Sequence, residues 1–80
     1  MRELHFEANE LIYRAGDKAE SAFIIRQGEI EITWPGAHRE AERLGPGEMF
    51  GHVGIMIDQP RRRTARALSD VTVLAITRSD

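Results

Sequence analysis

Residues 50–67 combine residue types and spacings that could bind an anion. The stretch opens on Phe50-Gly51, continues through a short apolar segment, turns at Pro60 and then leads through residues 61–63 into a predicted strand that carries Arg61. A short helical turn has free N–H groups at its start, and these favour a negative charge. A guanidinium that follows closely would add a full positive charge. We therefore predict a phosphate-binding segment in which Arg61 is the cation.

The order of these residues resembles the phosphate-binding cassette of cyclic nucleotide-binding domains. That family includes catabolite-activator-type regulators, kinase regulatory subunits and nucleotide-gated channels. Its pattern is Phe-Gly-Glu, a one-turn helix, Pro-Arg, two small residues, Thr or Ser, and a pair ending in Ala. This chain supplies Phe50-Gly51, Pro60-Arg61, Thr64, Arg66 and Ala67. Three further stretches resemble the other recurring signatures of the family, namely Gly16-Asp17, 23–30 and 44–50.

The resemblance implies a regulatory sensor that binds a small phosphate-bearing ligand such as cAMP or cGMP and needs no cofactor. The phosphate would lie on Arg61 and on the amide groups of the turn after Gly51. Ligand occupancy would shift a short helix over 53–58. The residues implied to contact the ligand are Phe50, Gly51, His52, Val53, Gly54, Arg61, Arg62 and Thr64.

The resemblance also implies positions for the rest of the nucleotide. The sugar would lie near His52, and Thr64 could form a hydrogen bond with the ligand. The base would lie against the inner sheet, around Ile30, Ile32 and Val73.

Two positions depart from the family pattern. His52 stands where the family has a Glu that accepts hydrogen bonds from the ribose, and Arg62 and Arg63 replace small residues. A charge-assisted hydrogen bond is worth about 1.5–3 kcal/mol, so its loss would weaken a nucleotide by roughly ten- to a hundredfold. The alternative is therefore a degenerate domain that binds no nucleotide and serves as a structural or oligomerisation module.

The register of the cassette has two interpretations. Arg63-Thr64-Ala65 would match the Arg-Thr-Ala triplet of the channel relatives, but only with two extra residues after Phe50. We therefore prefer Arg61 as the phosphate-binding arginine. In an extended strand Arg63 would lie on the same face as Arg61, where it could add a second charge or obstruct the pocket.

His52 has three interpretations: a hydrogen bond to a ribose, a metal ligand, or a remnant of a site no longer used. A metal site would need partners, and the chain has no cysteine and no His-x-His pair. It also lacks a Gly-x-Ser-x-Gly elbow and a Walker-type loop. We therefore expect no metal and no enzymatic activity.

Composition limits the partners. The 80 residues carry a net charge of −2, but four arginines lie within the six residues 61–66. Such a cluster suits one localised anion better than nucleic acid, which needs basic groups spread along a face. No run of 18 apolar residues is present, and the N-terminus lacks the apolar stretch of a signal peptide. We expect no membrane insertion and a cytoplasmic location.

The elements that must position the cassette are predicted to be strands. Ile30, Ile32 and Trp34 alternate with polar residues, which is typical of a strand with one buried face. The apolar run 22–25 predicts a strand buried on both faces, and 71–76 is β-branched. Glycine and proline turns between short strands favour an all-β jelly roll, a cupin-like sandwich.

We expect residues 1–80 to form a single domain that resembles the family but lacks its usual C-terminal helices. Because those helices normally cover the domain, their absence would leave apolar surface in water. The interpretation leaves open a homo-oligomer or an attached output domain as the partner of that surface.

Overall fold

The computed structural model describes all 80 residues as eight strands and one short helix. The elements are β1 (Arg2–Phe6), β2 (Leu11–Tyr13), β3 (Ser21–Gln27), β4 (Ile30–Thr33), β5 (Glu42–Leu44), β6 (Met49–Phe50), α1 (His52–Ile57), β7 (Thr64–Ala67) and β8 (Val71–Thr77). They form two four-stranded antiparallel sheets with the orders β1-β8-β3-β6 and β2-β7-β4-β5. The predicted jelly roll is confirmed. No helix is both long and apolar enough to cross a bilayer.

The core lies between the two sheets, and burial follows a period of two along β4, β7 and β8. Ile25 of β3 and Val73 of β8 come from one sheet, Ile30 of β4 comes from the other, and all three are fully buried. Ile32 is also buried, which confirms the one-sided strand predicted there. In β3, however, Ile24 is only half-buried, so the expectation of burial on both faces is only partly met.

Residues 51–63, which we call the cassette, connect β6 to β7. The segment begins at Gly51 with φ of 77°, passes through α1, and leaves the helix at Asp58 with φ of 51°. Both are left-handed conformations, and at Gly51 the absence of a side chain relieves the strain that this φ would impose. The helix predicted over 53–58 therefore begins and ends one residue earlier.

The prediction that residues 61–63 belong to a strand is wrong, because β7 begins at Thr64. The backbone of Arg61 bonds instead to the turn that follows β2. Its N–H donates to the carbonyl of Asp17 at 2.8 Å, and its carbonyl accepts from the N–H of Gly16 at 2.7 Å. These two bonds keep Arg61 off the sheet ladder and fix its side chain at one end of the sandwich.

Candidate ligand-binding site

A pocket of about 130 Å³ lies between the cassette and the end of β2. It is lined by Tyr13, Gly51, Val53, Gly54, Ile57, Pro60, Arg61, Arg62 and Arg63. Pockets for drug-sized ligands usually enclose roughly 300–1,000 Å³. This pocket can therefore enclose a phosphate-sized group, while the rest of a larger ligand must lie outside it.

Arg61 is the one charged residue buried in the domain, with only 7% of its surface exposed. Its guanidinium donates to two backbone carbonyls, those of Gly51 and Ser21. Its Nε is buried without a hydrogen-bond partner. No carboxylate lies within ion-pairing distance, because the four ion pairs of the chain involve other residues. The pocket therefore contains a cation whose charge no acidic group neutralises.

An aromatic cluster supports this guanidinium. The Cζ of Arg61 lies 4.1 Å from the centroid of the Tyr13 ring and 5.9 Å from that of Phe23. Tyr13 in turn packs against Phe23 and Phe50 at centroid distances of 6.1 Å. These distances are within the range of cation–π and aromatic contacts.

Burial changes the pKa of both Tyr13 and Arg61. It raises the pKa of Tyr13, and the positive charges of Arg61 and Arg63 offset part of that increase. It also lowers the pKa of Arg61, and interactions with Tyr13 and Asp17 offset part of that decrease. Because an arginine starts from a very high pKa, Arg61 remains charged near neutral pH.

Two glycines allow the cassette to lie close to the sandwich. A Cβ on Gly51 would lie 3.0 Å from Nη1 of Arg61 and 3.3 Å from the rings of Tyr13 and Phe23. A Cβ on Gly54 would lie only 2.6 Å from the Cβ of Ala19. The glycines therefore set how closely α1 and the guanidinium approach the rest of the domain.

The outer wall of the pocket is also basic. Arg62 donates from Nη2 to Oε1 of Gln59 at 2.9 Å, and the Cζ of Arg63 lies 5.3 Å from the ring centroid of Trp34. The Cζ of Arg39 lies 3.7 Å from that same ring. None of these arginines has a carboxylate partner. Together with Arg61, the lining residues Arg62 and Arg63 give the pocket a local positive charge in a chain whose net charge is −2.

The structure brings most of the predicted contact residues together. Five of them line the pocket: Gly51, Val53, Gly54, Arg61 and Arg62. Three do not: Phe50 is a core residue, Thr64 accepts through Oγ1 a hydrogen bond from the N–H of Ala15, and His52 is half-buried with an unpartnered Nδ1. The roles predicted for these eight side chains toward a ligand remain predictions.

The predicted place for the base is wrong. Ile30, Ile32 and Val73 are at most 4% exposed because they pack against the opposite sheet. Their inner faces are therefore filled by protein, and no surface remains there for a planar ligand.

Four lining residues are absent from the predicted contact set: Ile57, Pro60 and Arg63 lie within the cassette, and Tyr13 lies outside it. Tyr13 ends the three-residue strand β2 and precedes the turn at Gly16-Asp17, to which the backbone of Arg61 is bonded. One signal was available in the sequence: Tyr13 is the only tyrosine of the chain and lies three residues before Gly16, where a turn resembles a signature of the family.

The domain is thus a jelly roll with a short helix and a buried arginine beside a small pocket. The family model of the cyclic nucleotide-binding domain matches residues 3–80. The chain therefore belongs to the cyclic nucleotide-binding domain family, and the predicted membership is confirmed. The domain is a regulatory sensor module.

Individual relatives agree with this family. An uncharacterised ABC transporter ATP-binding protein of Mycobacterium tuberculosis is 30% identical over 77 residues, which are 92% of this chain and 23% of that protein. The cyclic AMP receptor protein of Thermus thermophilus is 28% identical over 82 residues, covering 99% of this chain and 38% of the receptor. A cAMP-bound EAL enzyme superposes with a TM-score of 0.85 at 29% identity, over 95% of this chain and 21% of the enzyme. The chain spans about a quarter of the length of the first of these relatives.

Proposed function

We propose that this domain binds cAMP or cGMP and that its pocket holds the cyclic phosphate. The observation that carries the proposal is Arg61, a buried guanidinium that lines the pocket and has no acidic partner. A charge without an acidic partner in a buried position is costly, so its presence points to a function that requires it. A phosphate would supply the missing negative charge.

The rest of the nucleotide would extend from the phosphate toward the mouth of the pocket. The pocket is too small to enclose a nucleoside, and the inner sheet offers no free face. The base would therefore lie toward the side chains of Val53, Ile57 and Arg63, which line the pocket. The sugar would lie near His52, but the Nδ1 of His52 is buried and outside the pocket lining, so a bond from it to a ribose hydroxyl would require α1 to shift.

The relatives support this choice of ligand, because one is a cyclic AMP receptor protein and another was solved with cAMP bound. We further infer that the domain itself catalyses no reaction and that it acts in the cytoplasm as a regulatory part of an oligomer or of a protein with an output domain. The exposed apolar side chains of α1 and β6 would suit such a contact, with Met56 76% exposed. Sedimentation of the chain as a monomer at high concentration would contradict the oligomer.

The deciding experiment is calorimetric titration of the purified chain with cAMP and with cGMP. We expect saturable binding that Arg61→Ala abolishes and His52→Glu strengthens, since Glu restores the acceptor found in the family. Arg43→Ala is the matched control, because Arg43 is an exposed arginine on β5 that does not line the pocket. If neither the wild type nor His52→Glu binds either nucleotide, the domain is instead a degenerate structural or oligomerisation module.

A further inference from the structure

The buried guanidinium of Arg61 contacts neutral groups only; Asp17 favours its charge electrostatically but forms no ion pair with it. Two carbonyl oxygens accept its hydrogen bonds, and the face of Tyr13 lies 4.1 Å from Cζ. A buried cation is usually paired with a carboxylate, because desolvation of a lone charge is costly. A carboxylate would also neutralise the charge and compete with an incoming anion. Carbonyl dipoles and an aromatic face stabilise the cation while its net charge stays at +1.

Tyr13 is placed to supply the aromatic part of this support. Its ring is closer to Cζ than that of Phe23, at 4.1 Å against 5.9 Å. Phe23 and Phe50 pack against Tyr13, so the ring cannot turn away without disturbing the core. Tyr13 also lines the same pocket as Arg61.

We propose that Tyr13 is a positioning residue of the binding site: its ring holds the Arg61 guanidinium in place beside the pocket without an acidic partner. The identity of the bound anion, the phosphate of a cyclic nucleotide, rests on the proposed function. The placement of Arg61 by Tyr13 can be tested without any ligand. A cation–π contact is worth about 1–2 kcal/mol in a desolvated site, which corresponds to roughly five- to thirtyfold in affinity.

The first variants separate the contribution of the aromatic ring of Tyr13 from the contributions of its hydroxyl group and of its volume. Tyr13→Phe keeps the ring, and we expect cAMP and cGMP affinities close to those of the wild type. Tyr13→Leu keeps an apolar side chain without a π face, and we expect affinity to fall about five- to thirtyfold. Val73→Ala is the control for general destabilisation, because Val73 is fully buried in β8 and does not line the pocket.

Nuclear magnetic resonance of the arginine side chains reports on Arg61 without any ligand. A ring 4.1 Å from Cζ should shift the Nε–H signal of Arg61 by its ring current. Arg61→Lys assigns that signal by removing it. We expect Tyr13→Phe to keep the shifted signal, and Tyr13→Leu to move it to the position of an ordinary arginine.

A second series guards against misfolding of Tyr13→Leu. In this series residue 13 is a phenylalanine whose ring carries a rising number of fluorine atoms, introduced by chemical synthesis of the chain. Fluorination weakens the negative face of the ring but preserves its shape and increases its hydrophobicity. Under the proposal affinity falls stepwise with fluorination, whereas a purely structural role for residue 13 predicts unchanged or higher stability and unchanged affinity.

The outcomes distinguish this inference from the proposed function. If the wild type binds neither nucleotide, the proposed function fails, and the Nε–H signal alone decides whether Tyr13 positions Arg61. If the wild type binds but Tyr13→Leu leaves the Nε–H signal unchanged, or the fluorinated series leaves the affinity unchanged, the role of Tyr13 is overturned while the proposed function stands.

Discussion

The sandwich and the cassette are stabilised in different ways. In the sandwich, Ile25, Ile30 and Val73 are fully buried and the strands are hydrogen-bonded in two four-stranded sheets. In the cassette, α1 has no buried residue, and both of its ends adopt left-handed conformations. The sandwich thus depends on many equivalent contacts, whereas the position of the helix depends on a few that can be named.

Side-chain and packing contacts at three places add to the two backbone bonds of Arg61 in holding the cassette against the sandwich. The guanidinium of Arg61 bonds to the carbonyls of Gly51 and Ser21. Gly54 lies against Ala19 so closely that no Cβ would fit. Arg78, just after β8, donates to the carbonyl of Ile55. A segment held by so few contacts can move while the sandwich stays folded, as a sensor requires.

The largest expected difference is in the effect of side-chain truncation on stability. Ile25→Ala should lower the free energy of unfolding by about 2–5 kcal/mol, because it opens a cavity in the core. Met56→Ala on the exposed face of α1 should change it by less than about 0.5 kcal/mol. Urea unfolding followed by the fluorescence of Trp34, the only tryptophan, measures both. Equal losses in the two variants would show that the cassette is as strongly integrated as the core.

The next prediction concerns Gly54. Replacing a glycine by alanine within a helix usually stabilises it by about 1 kcal/mol. Here Gly54→Ala should destabilise the domain by about 1–3 kcal/mol, because the new Cβ would lie 2.6 Å from the Cβ of Ala19.

A compensating change provides the control for Gly54→Ala. Adding Ala19→Gly should recover most of the lost stability, since it removes the clashing atom. The same urea experiment measures the single and double variants. If Gly54→Ala stabilises the domain, the close approach of α1 to the sandwich is not needed.

Local patterns predicted the sandwich better than the site. Ile30 and Ile32 alternate with polar residues, and a period of two is enough to define the strand and its buried face. The contacts that stabilise the Arg61 guanidinium could not be predicted from a local pattern, because Ser21 and Tyr13 lie 40 or more residues from Arg61 along the chain. The base was misplaced for a related reason: the inner face that the pattern indicated is covered by the other sheet.

A smaller effect should appear at alkaline pH. Burial raises the pKa of Tyr13 above its ordinary value, so the phenol stays protonated in the fold at a pH where the unfolded chain ionises. The resulting stability is complete below about pH 10, the pKa of an unfolded tyrosine, and is lost as the pH rises through the pKa of the folded state. Because Tyr13 is the only tyrosine, its phenolate absorbance in the near ultraviolet follows this titration directly.

Tyr13→Phe tests the origin of this alkaline loss. It should remove the part of the decline in unfolding free energy that begins near pH 10. An unchanged decline would assign the alkaline sensitivity to other groups, and a phenolate signal that appears at the ordinary pH would show that the ring is accessible to water.

The smallest predicted effect concerns Arg78, which links the end of β8 to α1. Its Nη2 donates to the carbonyl of Ile55 at 2.7 Å and to Oδ1 of Asp58 at 3.1 Å. Because the Arg78 side chain is half-exposed, Arg78→Ala should cost no more than about 1 kcal/mol of global stability.

The clearer readout for Arg78 is local. Amide hydrogen exchange within α1 should accelerate in Arg78→Ala, while exchange in β3 and β8 stays unchanged. Asp58→Asn removes the ion pair but leaves the carbonyl bond, so it separates the two interactions. If Asp58→Asn accelerates exchange as much as Arg78→Ala, the ion pair holds the helix. If only Arg78→Ala accelerates exchange, the hydrogen bond to Ile55 connects α1 to the last strand. Movement of α1 on ligand binding would then displace the end of β8.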